Sequence, residues 1–193
     1  MAKMTPNPAA GQLSGTIGDL VFVQQKNGKV GVRRRPVRKA GKQPGEIASQ
    51  ASFIRAVAYA KSVWNTQPEL RAKYQTAAQE QGRQGFHLAK ADFRLPPNIG
   101  DIDLSGYHGS PGDVIRVVAT DDFAVKEVLL VLRHLDGAFI EQGAAVLDQG
   151  TWDYRAQTQV PAAETITVEA IAVDYPGHAA RKRLDHACGP RTN

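Results

Sequence analysis

The tripeptide Leu95-Pro96-Pro97 divides the chain into two stretches that no single periodicity describes. Consecutive prolines remove two backbone donors and push the residue before them out of the α region, so neither a helix nor a paired strand continues through them. Upstream, apolar residues recur at three and four positions; downstream they alternate. Asp113 to Ala119, Val125 to Leu132, Phe139 to Val146, Trp152 to Thr158, Thr165 to Val173 and Ala179 to Leu184 are strand-like runs, and Ile102 to Ser105 supplies a leading seventh. Turn residues separate them: Asp121-Asp122, Leu135-Asp136-Gly137, Asp148-Gln149-Gly150, Pro161 and Tyr175-Pro176-Gly177.

Seven short strands so spaced predict an antiparallel β-sandwich over residues 98–186, immunoglobulin-like in strand count, with 187–193 as a tail. Cys188 is the single cysteine, so no internal disulfide can staple the sheets and the core must rest on packing. At 193 residues and 42% hydrophobic content the chain has enough apolar side chains to build one.

Residues 46–97 read as a small helical unit. Ile47, Ala51, Ile54, Val57, Ala58 and Trp64 fall at helical spacings and predict an inner face for a helix from Glu46 to Trp64. Thr66-Gln67-Pro68-Glu69 has the spacing of a capping box with Pro in the first turn. It predicts a second helix, Leu70, Tyr74, Ala77 and Ala78 inward, ending near Gln81 at Gly82. Phe86, Ala89 and Phe93 suggest a short third helix.

Residues 1–45 read as a basic arm and hairpin. Two prolines between residues 5 and 14 favour an extended arm. The β-branched and aromatic run Ile17 to Gln24 and the run Val30 to Arg33 flank Lys26-Asn27-Gly28-Lys29; an Asn-Gly pair so placed signals a hairpin, here over residues 19–35. The expected class is therefore α+β: an N-terminal basic β-hairpin and small helical unit followed by an all-β immunoglobulin-like sandwich.

Charge follows the same division. Residues 1–45 carry net +8, residues 46–100 +3 and residues 101–193 −6. Between Gln24 and Lys42 eight positions are basic and none acidic: Lys26, Lys29, Arg33, Arg34, Arg35, Arg38, Lys39 and Lys42. Cations at this density are either solvated or face an anionic surface, and phosphate contacts or the acidic end of another copy would both serve. Phe22 is the only aromatic residue nearby, which disfavours stacking on single-stranded bases.

Gly11-x-Leu13-Ser14-Gly15-x-Ile17-Gly18-x-x-Val21-Phe22, followed by Gly28-Lys29, Arg33 and Pro36, resembles the start of uncharacterised bacterial proteins that carry a Gly-rich basic hairpin, a short helical segment and a C-terminal immunoglobulin-like domain. Phe53, Tyr59, Ala60 and Lys61 fill the helical pattern of those proteins loosely. The resemblance implies the architecture and brings no activity. Leu70 to Ala78 is also similar to the later part of an HMG-box helix, but the wedge residues of that family are not at the matching place.

The sandwich topology would bring Asp121 and Asp122 near Asp174, Tyr175 and His178, a set that could hold a cation, form a contact loop for a partner, or serve only as turn residues. His186-x-Cys188 is a weak metal signal and no metal is expected. The sequence shows no phosphate loop, Gly-x-Ser-x-Gly elbow, His-Glu-x-x-His or paired carboxylates on a helix face. The expectation is a non-enzymatic interaction protein without cofactor. Its hairpin and arm would bind a polyanion, most simply nucleic acid, and its sandwich a protein partner. The alternative is a structural subunit of a particle or filament whose arm and hairpin contact neighbouring copies. With no signal-like or membrane-spanning run, the expected location is the cytoplasm or a particle assembled there.

Overall fold

The computed structural model of the chain describes residues 14–25, 29–36 and 44–189. The chain divides into two compact units, residues 1–47 and residues 48–193. The described residues form three helices and three antiparallel sheets.

The first unit is built on a three-stranded meander, β1 (Gly15–Ile17), β2 (Leu20–Gln24) and β3 (Val30–Arg34), in that order. The sequence suggested two strands. The additional one arises because Gly18, at φ 57°, turns the chain between Ile17 and Leu20, a conformation that a residue with a Cβ enters only at a cost. Gln25 N donates to Lys29 O at 2.8 Å across the base of the hairpin. The Asn27-Gly28 turn itself and the arm before Ser14 lie outside the described residues.

Helix α1 (Pro44–Thr66) carries Glu46 in its first turn and ends where Gln67, restricted by the following Pro68, leaves the helical region at φ −128° and ψ 73°. Thr66 does not cap α2 (Pro68–Glu80); its Oγ1 donates back to Ser62 O at 2.8 Å, closing α1 instead. Helix α2 ends in a Schellman arrangement, with Gly82 N donating to Gln79 O, Arg83 N to Ala78 O, and Gly82 at φ 62°. Helix α3 (Gly85–Asp92) begins against α2, and a Cβ on Gly85 would stand 3.1 Å from Gln75 Cα. Ala60, Val63, Tyr74, Ala78, Leu88 and Ala89 form the buried cluster of these helices, with Trp64 edge-on to Phe86 at 5.3 Å.

The inner face of α1 differs from expectation. Ala56, Ala60 and Val63 are buried, whereas Ile47 and Ile54 remain 55% and 60% exposed. Helical period alone says which residues share a face: of the expected set Trp64 packs on the buried cluster and Val57 is half-buried, whereas Ile47, Ala51, Ile54 and Ala58 lie on a second, exposed face.

Past Pro97 the chain forms two four-stranded antiparallel sheets. The first is ordered β11-β10-β6-β7, from β6 (Val125–His134), β7 (Phe139–Ala144), β10 (Thr165–Asp174) and β11 (Ala179–Ala187). The second is ordered β4-β5-β9-β8, from β4 (Asn98–Asp103), β5 (Val114–Thr120), β8 (Val146–Asp148) and β9 (Thr151–Arg155). The single run expected over 139–146 is two strands: Ala145 N still donates to Val128 O in the first sheet, while Val146 already pairs with Asp153 in the second. Alternation places Val128, Leu130, Leu132, Ile166 and Val168 of one sheet in the same buried cluster as Ile115, Val117, Trp152 and Tyr154 of the other. Among the described residues no helix is long and apolar enough to cross a membrane.

Candidate functional site

The basic hairpin belongs to the first unit. Arg33 is paired with Val21 and Arg34 with Leu20, so successive arginines point to opposite faces of the meander and Arg35 follows the strand end. The three side chains are exposed, and among the described residues no carboxylate lies within ion-pair distance of them. Lys29 stands at the start of β3; Lys26, Arg38, Lys39 and Lys42 lie outside the described residues. Because Arg33 and Arg34 diverge, the strand offers no single basic face. The Arg34 face instead carries Ile17, Leu20, Phe22, Val30 and Val32, of which Ile17, Leu20 and Val32 are exposed.

The loop residues lie in the second unit, and there the two loops do meet. Phe123, beside Asp121 and Asp122, contacts the ring of Tyr175 at 5.4 Å between centroids. Their neighbours are the chain's own helices. Phe123 packs on Tyr74 of α2 at 4.1 Å, Phe93 meets the His178 imidazole edge-on at 5.4 Å, and Lys73 Nζ donates to Tyr175 Oη at 3.1 Å while standing over its ring. Asp174 is fully buried and organises its own turn, accepting from Gly177 N and His178 N at 2.6 Å each and from His178 Nδ1 at 2.7 Å. Asp122 is exposed.

The residue missing from the sequence reading is Asp92. It is wholly buried at the end of α3, its Oδ2 accepts from the hydroxyl of Tyr74, and its Oδ1 and both Asp121 oxygens are enclosed without a donor among the described residues. Tyr59 Oη lies 3.0 Å from Tyr74 Oη. Since Tyr74 has one hydrogen and gives it to Asp92, Tyr59 is the donor to Tyr74, and the donors run Tyr59 to Tyr74 to Asp92. Burial is the largest cause that lifts Asp92, to about 8, with Asp121 and Asp174 adding to it. The same burial raises Asp121 and pushes Tyr59 up to about 12. That upward direction favours a neutral Asp92 carboxyl, whose hydrogen would be the donor that Asp121 lacks, where two charges would repel. The available sequence signal was an acid in the apolar stripe of α3, three residues after Ala89 and one before Phe93.

This arrangement locks elements together. Asp92 and Tyr74 are both inaccessible. The adjoining open cleft of about 480 Å³ is lined by Lys73, Thr76, Phe123 and Tyr175 and reaches neither carboxyl of the pair. Among the described residues no group of three His, Cys, Asp or Glu side chains is arranged to hold a metal ion. His186 Nε2 bonds to Tyr107 O at 2.8 Å, and Cys188 is buried. Comparison with protein-family models, curated proteins and solved structures finds no match to this chain.

Proposed function

We propose that this is a non-enzymatic interaction protein, a subunit of a larger assembly whose N-terminal segment completes its fold on a neighbouring protein. One observation supports this most: no described residue from Ser14 to Arg55 is buried, although the segment forms three strands and three turns of helix and exposes Ile17, Leu20, Val23, Val32, Ile47, Phe53 and Ile54. Small meanders and short helices are marginal in water without a packed face, and contiguous exposed apolar surface marks association. Residues 98–187 serve as an immunoglobulin-like sandwich. That reading is supported by sheet orders β4-β5-β9-β8 and β11-β10-β6-β7: with β7 counted as a strand added at the edge beside β6, they follow the seven-strand connectivity in which the first, second, fifth and fourth strands share one sheet. It carries the assembly's outer face or a protein partner.

A polyanion, most simply nucleic acid, is the second reading, favoured by the exposed Arg33, Arg34 and Arg35 without carboxylate partners among the described residues. Light scattering of the full chain at low and high salt, with and without nuclease, separates the two. A large, salt-resistant, nucleic-acid-free assembly is the expected result. A monomer carrying nuclease-sensitive material that salt strips away overturns the assembly reading, because phosphate contacts weaken steeply with salt whereas apolar burial does not.

A further inference from the structure

We propose that the outward face of α1 is the seam for α1 of a second copy of this chain, the two helices packing antiparallel about a two-fold axis. The inference rests on the association reading and names its partner. At 100° per residue, Ile47, Ala51, Ile54 and Ala58 form a stripe about 180° around α1 from the buried Ala56, Ala60 and Val63. All four stripe residues are exposed, so the helix buries one apolar face in its own core and presents another.

The 4-3-4 spacing of the stripe is that of a left-handed two-helix seam. Its order, large-small-large-small, makes it self-complementary only when the helices run in opposite directions. Centring the two-fold between Ala51 and Ile54 sets Ile47 against the second copy's Ala58 and Ala51 against its Ile54, so every layer pairs an isoleucine with an alanine. A parallel pair would stack isoleucine on isoleucine and leave gaps at the alanines. The seam is short, well below the ~1,600 Å² of a standard interface, so it forms at high concentration or between copies also joined through the hairpin.

Single Ile47→Cys and Ala58→Cys variants of the full chain, mixed and air-oxidised, test the arrangement; the native Cys188 is buried and stays out of exchange. The mixture should give a disulfide-linked heterodimer, and either variant alone should give little, because like positions stand about 16 Å apart along the paired axes. Ile54→Glu, at an exposed site where folding is not at risk, should remove the cross-link and lower the mass seen by light scattering. Cross-linking of Ile47→Cys with itself at equal yield overturns the antiparallel seam. A chain that associates while neither cross-link nor Ile54→Glu has an effect overturns the seam and leaves the association reading standing; a chain monomeric at every concentration overturns both.

Discussion

The Tyr74 hydroxyl donates its hydrogen bond to the Asp92 carboxyl, and neither side chain is reached by solvent. Helices α2 and α3 are thereby tied to each other, and through Asp121 to the loop between β5 and β6. Polar groups so enclosed are specific but conditional, since each depends on the protonation of the next.

Asp92→Asn should stabilise the protein at neutral and mildly alkaline pH and flatten its dependence on pH. Asp92 rises from an ordinary 3.8 to about 8 in the folded chain. The folded state therefore binds more protons than the unfolded state between those values, and stability from this group is full below pH 4 and lost as pH climbs towards 8. Asparagine keeps a donor towards Asp121 and an acceptor for Tyr74 at every pH. Urea unfolding at pH 5, 7 and 8.5 checks this: a wild-type chain whose midpoint does not fall over that range refutes the shared proton.

Tyr74→Phe should cost about 1–3 kcal/mol, because it leaves the Asp92 oxygen and the Tyr59 hydroxyl without their partner in a buried site. Tyr59→Phe removes only the first donor of the chain at a half-buried position and should cost less. Thermal unfolding of the two variants at one pH ranks them, and equal losses would argue against the donor order derived above.

Gly143→Ala should destabilise by about 1–3 kcal/mol through overpacking. A Cβ there would stand 2.7 Å from Tyr154 Cε2, closer than real contacts allow. Tyr154→Phe keeps that ring carbon and should not relieve the clash, whereas Tyr154→Leu should recover part of it. The double-mutant cycle measured by urea unfolding distinguishes steric conflict from a backbone effect of losing glycine.

Val32→Asp in the meander should reduce the mass of the assembly without changing the unfolding of residues 48–193, since Val32 is exposed and lies in the other unit. Replacing Arg33, Arg34 and Arg35 together by Ala should leave that mass nearly unchanged. The opposite pattern, with the arginines decisive and Val32 silent, would favour the polyanion reading. Light scattering at two salt concentrations reads both variants.

Apart from the break at Ala145, which no turn residue marks, the strands downstream of Pro97 were legible because alternation and turn chemistry agree, as at Tyr175-Pro176-Gly177 before β11. The inward set of α2 was legible for the same reason: Tyr74 and Ala78 are buried, with Leu70 and Ala77 packed beside them. On α1 the sequence offers two faces, and nothing local distinguishes a face that the monomer buries from one that it leaves open. Asp121 and Asp174 were singled out as neighbours, and they are, but their third member sits 29 residues before Asp121 on a helix, and only the packing of α3 against the loops brings it in. Gly18-Asp19 has turn composition, but the β-branched and aromatic residues on both sides of it read together as one strand-like run and mask it.

Ala145 is the whole connection between β7 and β8, and so between the two large sheets at one edge. A joint of one residue has no slack: the register of Ala144 against Leu129 fixes that of Val146 against Asp153, and a slip in either sheet would have to be copied by the other. Neither sheet can therefore open by itself at this edge. Amide protons of β7 and of β8 should exchange with deuterium through one shared opening event.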